Sequence, residues 1–495
     1  MMIVRSITRD SSSTFTQDNT VRSINDGIGK GEQKSILFLS SASWPEPTAT
    51  AAGTRTSSLL HLLASSDLFT SVHFGCGANL PSSFDNDVSH NISHKRDDVH
   101  WHHIKLNRGD EMNALLNTIQ DVHGPIKAVV FDRFYTEEAF SFMVKEACPN
   151  ALRILDMQDV HSLRIGRQNL VLDFDRNIKL STPACRKLSS HLIDNVMSFN
   201  PKSACQATDT FDKMKARSYD TFLRELASIH RSDLVLVCSP DELKYLQSWS
   251  VPAWKMEVAS FFCDNINGKE LPAFDDRSDF VTVGGFKHPP NLDSAKLLRE
   301  EIWPRIRQQL GHAKLHIYGA YPTQDILSLH SDKLGFLVHG RIHDLDSELR
   351  KRRVLLAPLR FGAGIKGKIV DAWRCGCPVV STPIGAEGMV DNNAMHTGHW
   401  GGSVTSTTDD FVEAAISLYT KNTAWNKAQA TATLLVNKLF NKESNFKLVQ
   451  AAVENAMMSL NERRAADVTG AMLWHQSNRS TEYFSKWIEL KEKEF

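Results

Sequence analysis

The sequence predicts an α/β protein of two Rossmann-like, doubly wound lobes facing each other across a cleft, followed by a helical C-terminal tail. Three observations predict it. Short, unbroken apolar runs recur along the chain, as parallel strands covered on both faces require. Amphipathic stretches lie between them, which makes βαβ units. The rhythm stops at a polar stretch bearing Pro and Gly, "DNINGKELPAFDDRS" (264–278), and then restarts. The chain has 495 residues; at about 150 residues per domain that leaves room for two sizeable cores.

Residues 1–34, rich in Ser, Thr, Asp and Gly, are expected to form a disordered extension. They do not read as a signal peptide, because "MMIV" is too short an apolar run and Arg5, Arg9 and Asp10 follow it. The first lobe is expected over 35–265. It opens with "SILFLS" (35–40), then the turn-rich "SASWPEPTATAAGTR" and a helix from Thr54 that groups Leu59, Leu60, Leu62 and Leu63. Further strands are expected at 71–76, 101–106, 128–133, 153–158 and 233–240. The polar stretch 165–217 yields no assignment. The second lobe is expected over 279–440, with strands at 280–285, 315–319, 335–340, 354–359 and 378–382 and amphipathic helices at 293–308 and 344–353. The tail, 441–495, carries helical patterns that are expected to pack back on the first lobe.

Bulk chemistry narrows the partners. Lys+Arg and Asp+Glu both number 57, so nothing asks for a nucleic-acid backbone. No window reaches the ~20 apolar residues of a membrane span. A cytoplasmic protein is expected, with peripheral membrane contact left open. The eight cysteines are scattered and read as free thiols; Cys375-x-Cys377 has no second pair to complete a zinc set. In "HWHH" (100–103), strand alternation puts His100 and His102 on one face, but no carboxylate or cysteine stands at a matching spacing. No metal is expected. Trp303 and Trp373 read as core.

The stretch with the most chemistry is "RFGAGIKGKIVDAWRCGCPVVSTPIGAEGM" (360–389). A strand, "VLLAPL", runs into a glycine loop and then a helix from about Lys366. At such a terminus, unpaired N–H groups carry roughly half a positive charge, and glycines let a phosphate approach the backbone. Arg360 and Lys366 add full charges. A P-loop would need Ser or Thr at 369, where Ile369 has no oxygen for magnesium. A dinucleotide fingerprint at Gly362, Gly364 and Gly367 would want an acid ~20 residues on. Glu387 stands there, but beyond the end of the next strand. A sugar nucleotide is the third ligand.

"PLRFGAGIKGKIVDAWRCGCPVVSTPIGAEGM" resembles the donor-binding segment of the group-1 (family four) retaining glycosyltransferases of GT-B fold. "FVTVGGFKHPPNLDSAKLL", "WPEPTATAAGTR", "LDMQDVHSLR" and "SDLVLVCSPDELKYL" are similar to other segments of that family, in the expected order over roughly 35–440. The resemblance implies a GT-B fold and transfer of a sugar, a hexose in most members, from a UDP- or GDP-sugar to an acceptor glycan, lipid or protein. It implies no metal and no other cofactor. Arg360 and Lys366 would hold the diphosphate, with Lys287 as a third cation. Family members carry two glutamates eight positions apart; the second, which binds the ribose, falls at Asp371. The first falls at Ala363, so backbone N–H groups of Gly362 to Gly364 would have to hold the sugar hydroxyls. His161 would stand beside the reacting sugar, with Asp159 orienting it or capping a helix. Gly53 would let the first-lobe loop approach the phosphates. Two other readings stay open: an inactive sugar-nucleotide binder, given Ala363 and Asp371, and a nicotinamide-dependent oxidoreductase using the same glycines.

Overall fold

The first sheet grows outward from β1 (Ser35–Ser40), which is buried at every residue. It pairs in parallel with β2 (Ser71–Cys76) on one side and β5 (Ile126–Asp132) on the other. Beyond β2 lie β4 (Val99–His103) and then β3 (Ser93–Arg96). Beyond β5 lie β6 (Leu152–Asp156), β7 (Leu234–Val237) and β8 (Met256–Val258). Only the β3–β4 pair is antiparallel. The computed structural model describes residues 33–46, 50–79, 93–96, 99–106, 108–179, 186–201, 213–266, 270–390 and 399–493. The extension expected over 1–34 lies outside them except for its last two residues.

The second sheet is wholly parallel. Its order is β11 (Phe336–Gly340), β10 (Leu315–Tyr318), β9 (Ser278–Val283), β12 (Arg352–Ala357), β13 (Val379–Ser381), β14 (Gly402–Val404). In each sheet the strand order reverses beside the first strand of the lobe, between β1 and β5 and between β9 and β12. A crevice opens at such a switch point, outside the carboxyl ends of the strands. The two crevices are thus framed by the loops after β1 and β5 and by those after β9 and β12.

Strands β3, β8 and β14 escape the sequence reading because they hold three or four residues each and no apolar run of their own. Strand β4 starts two residues before the expected Trp101. The described parts of the unassigned stretch 165–217 are largely helical: His161–Lys179, Ser190–Met197 and the start of Lys213–Arg231. Its apolar residues do not all serve the lobe whose chain they interrupt. Val171, Leu188, Leu192, Ile193 and Val196 belong to the second lobe's core, with Phe280, Leu297 and Trp303.

The chain crosses between lobes twice at one place. Cys263 N–H donates to the Phe440 carbonyl at 2.6 Å, and Lys442 N–H to the Cys263 carbonyl at 2.8 Å. Helix 442–458 then lays Phe446, Val449, Val453 and Ala456 into the first lobe's core, beside Ile36 and Phe38. Farther along, Arg464 pairs with Asp233, and the buried Lys255 ammonium takes Asp467 and three backbone carbonyls, those of Ile229, His230 and Ser232.

Trp303 and Trp373 are fully buried, as core residues. His100 and His102 share a face, where His73 stacks on both and His123 meets His73 edge-on. Among the described residues no group of three or more His, Cys, Asp or Glu could hold a metal ion. Nor is any helix there long and apolar enough to cross a membrane. Six cysteines in that set are free and buried.

Candidate active site

The two crevices meet. Beyond β12, residues 358–366 lead into helix 367–374, whose first turn has no side-chain cap. That turn abuts the first turn of helix 51–64: a methyl at Gly367 would stand 2.5 Å from Ala51 Cβ. Two helix N-termini therefore converge on one spot; Thr50 Oγ1 caps the Gly53 N–H of helix 51–64, while helix 367–374 has no side-chain cap. Gly364 (φ +65°) touches the opposite lobe as well. A methyl there would meet Asp159 Cβ at 3.1 Å and the Gln158 carbonyl at 3.2 Å. Glycine at 364 and 367 lets the lobes close to backbone contact.

Two lysines flank this meeting point. Lys366 is buried; its Nζ donates to the Gly364 carbonyl. Burial lowers its pKa, against the pull of Glu387. Lys368, in the first turn of the helix, donates to Asn291 Oδ1 at 2.6 Å. Burial, with Lys366 next to it, pushes its pKa down to about 7. Lys366 is buried and Lys368 half-buried, and two ammonium groups this close favour an anion between them.

Across the cleft, His161 opens helix 161–179. Its Nδ1 lies 3.0 Å from Asp159 Oδ1, and Arg164 Nε donates to Asp159 Oδ2 at 2.7 Å. Burial alone would lower the His161 pKa; the Asp159 carboxylate outweighs it and raises the value. Arg164 and His161 in turn hold Asp159 well below the usual carboxylate range despite burial. Asp159 therefore orients the ring and leaves the cap to another residue. Glu225, from helix 213–231, accepts the N–H groups of His161 (2.7 Å) and Ser162 (2.9 Å). Phe134 and Tyr135 meet the imidazole edge-on, and His288, exposed ahead of helix 289–297, lies within electrostatic reach of it. Beside them, Arg133, between β5 and helix 134–147, has φ +69° and ψ 161°, a region that is nearly the preserve of glycine.

The other residues singled out in the sequence fall into different places. Arg360, expected at the diphosphate, is fully buried among carboxylates. Its Nη1 and Nη2 bind Asp175 at 2.7 and 2.8 Å, and Nε binds Asp293 at 2.9 Å. Every nitrogen of the guanidinium is taken by a carboxylate. Ala363 is buried in the first lobe's apolar cluster, which includes Val160 and Leu163. A glutamate there would bury a charge among apolar side chains. Gly53 approaches the chain itself: a methyl would stand 2.4 Å from the Glu46 carbonyl. Lys287 is exposed, with its Nζ 4.0 Å from the centre of the Tyr321 ring. Asp371 lies 3.5 Å from Arg374, itself held by Asp346; burial raises the Asp371 pKa to about 6. Gly362 gives its carbonyl to Arg167 at 2.8 Å, and Arg167 clasps Glu387.

Sequence reasoning overlooked Lys368, Asn291, Arg167 and Glu225. Lys368 had a signal, a second lysine two residues after the first at a helix start. The other three act through contacts 63 to 220 residues distant in the chain, which no local pattern shows.

Two Rossmann-like lobes with a basic, glycine-rich loop at their facing switch points define the GT-B architecture. Residues 277–421 match the family model described as glycosyl transferases group 1. No curated protein matches the sequence. Among solved structures, sucrose-phosphate synthase from Thermosynechococcus elongatus is similar over 88% of this chain and 100% of its own, at 14% identity and a TM-score of 0.55. HepE from Anabaena, in complex with UDP and glucose, covers 85% of this chain and 99% of its own, at 11% identity and a TM-score of 0.54. A glycosyltransferase from Rickettsia africae covers 86% and 99%, at 10% identity and a TM-score of 0.53. At these identities the likeness is one of fold.

Proposed function

We propose that the protein is a retaining glycosyltransferase that moves a sugar, a hexose in the first instance, from a nucleoside-diphosphate sugar to an acceptor hydroxyl. The observation that carries the reading is the Lys366–Lys368 pair at an uncapped helix N-terminus, facing the His161–Asp159–Arg164 cluster across the cleft. The diphosphate lies against the two ammonium groups and the first N–H groups of helix 367–374. Negative charge develops there as the glycosidic bond to phosphate breaks, and cations already in place stabilise it. They do so without a metal.

His161 keeps its Nδ1 proton on Asp159, which leaves Nε2 for a sugar hydroxyl or the acceptor. The acceptor hydroxyl attacks the face the phosphate leaves, and the departing phosphate oxygen takes its proton. Arg360 has no part at the phosphate in this scheme; Lys368 takes its place. Asp371 binds the ribose only by drawing away from Arg374. The fold's likeness to HepE, whose structure holds UDP, favours UDP-sugars as the first donors to try.

Calorimetric titration with UDP, GDP, ADP and NAD tests the reading. One nucleoside diphosphate should bind, more weakly in Lys366→Ala and Lys368→Met. Binding of NAD alone would point to an oxidoreductase. Nucleotide binding without transfer or donor hydrolysis would leave a sugar-nucleotide binder.

A further inference from the structure

Helix 161–179 begins in the first lobe with His161 and finishes against the second. Arg167 sits on its second turn. Its Nη1 donates to the Gly362 carbonyl (2.8 Å) and to Glu387 Oε2 (2.6 Å), Nη2 to Glu387 Oε1 (2.7 Å), and Nε to the Val196 carbonyl (3.1 Å). Eight residues later, on the same face of the helix, Asp175 takes the guanidinium of Arg360 in a two-point pair. Glu387 and Arg360 both belong to the second lobe. The Arg167 side chain is 3% exposed and that of Arg360 0%, so neither pair is a screened surface contact. Beyond, Arg186 pairs with Glu300, and Leu188 N–H donates to Thr408 Oγ1 at 3.0 Å. The apolar docking of Leu192, Ile193 and Val196 in the second core continues the same seam.

One of these bonds reaches the backbone of the glycine loop. The peptide bonds described are all trans, so a carbonyl and the following N–H point in opposite directions. Holding the Gly362 carbonyl on Arg167 therefore turns the Ala363 N–H away from Arg167 and fixes its direction. The same helix carries His161 six residues earlier.

We propose that Arg167 and Arg360 are positioning residues that lock the His161 turn to the Gly362–Lys366 loop, so that both sides of the cleft stand assembled before any ligand arrives. The lock rests on the proposed function only in taking that loop as the donor loop. It means that donor binding spends no free energy on bringing the lobes together. A protein without it would be competent for only a fraction of the time, and its apparent affinity would drop by that fraction.

The test uses the full chain carrying Arg167→Met with Glu387→Gln, a pairing that leaves no lone buried charge, and separately Arg360→Met with Asp175→Asn and Asp293→Asn, since Arg360 holds both carboxylates. Small-angle scattering of ligand-free protein reads the lobe arrangement. The wild type should keep the same radius of gyration with and without UDP; the variants should be larger without UDP and shrink on its addition. In kinetics, KM for the donor should rise about tenfold or more while kcat falls less than about threefold. Loss of fold alone would do the reverse, lowering kcat through the active fraction and leaving KM unchanged. A wild type that contracts on binding UDP, or variants as compact as the wild type with unaltered KM, would overturn the proposal. If the wild type binds no nucleoside diphosphate, the functional reading fails. The ligand-free comparison then decides the lock, with larger variants supporting it and equal ones refuting it.

Discussion

Lys368 offers a quantitative handle on the phosphate site. Burial beside Lys366 places its pKa near 7 in the ligand-free protein. Its protonated fraction therefore falls from about nine-tenths at pH 6 to about one-tenth at pH 8. The diphosphate needs the ammonium form, so each binding event at pH 8 must first load a proton on Lys368. The dissociation constant for UDP should rise about tenfold between pH 6 and pH 8, about 1.4 kcal/mol of affinity. UDP also titrates near this range, and Lys368→Met supplies the correction, because the terminal phosphate behaves alike in both proteins. Calorimetry in two buffers of different ionisation enthalpy should show wild-type binding at pH 8 taking up nearly one proton more than the variant. A wild-type-to-variant affinity ratio that stays within twofold from pH 6 to pH 8, with no extra proton uptake, would refute the assignment of Lys368 to the phosphate.

Other predictions follow from the same geometry. The Asp159 carboxylate raises the His161 pKa against burial, so the imidazolium persists above pH 6.5 and is lost as pH rises through the raised value; in Asp159→Asn the alkaline limb of kcat/KM should move to lower pH, and an unmoved limb would remove His161 from the profile. Gly364→Ala puts a methyl on a residue at φ +65° and 3.1 Å from Asp159 Cβ. It should cost about 1–2 kcal/mol, read in thermal unfolding, and more in activity than in stability. Lys255→Met leaves Asp467 and three carbonyls without their ammonium; it should destabilise by about 3 kcal/mol and expose the tail beyond Asn441 to limited proteolysis. Transfer should survive chelation by EDTA, since Lys366 and Lys368 supply the charge; complete loss restored by magnesium would remove that claim.

The fold was legible because parallel strands announce themselves. Runs such as "SILFLS" and "VLLAPL" are buried at nearly every position, and the turn chemistry between them is ordinary. Short edge strands carry too little apolar surface to show. The run of helix 161–179 beyond its first turn was hidden for a different reason: Arg167 and Asp175 face the other lobe, where a periodicity argument expects apolar residues. Their partners, Glu387 and Arg360, come from the other lobe. The same distance effect hid the partners of Arg360. In the sequence it is a cation beside glycines; the two carboxylates that occupy it arrive from positions 175 and 293. Ala363 departs from the family pattern in the sequence, and in the structure it packs against the first lobe.

The docked tail sets an order in which the molecule can be built. Phe446, Val449, Val453 and Ala456 complete the core around Ile36 and Phe38, more than 400 residues upstream in the chain. As the protein leaves the ribosome, the first lobe emerges with part of its apolar interior uncovered and waits through synthesis of the entire second lobe. The second sheet, β9 to β14, is contiguous in the chain, but part of its core comes from Val171 to Val196, made beforehand. The earlier lobe thus lends a segment to the later one, which can close first. The first lobe is finished last, by the final helices, and until then it is the part of the nascent chain that chaperones would hold.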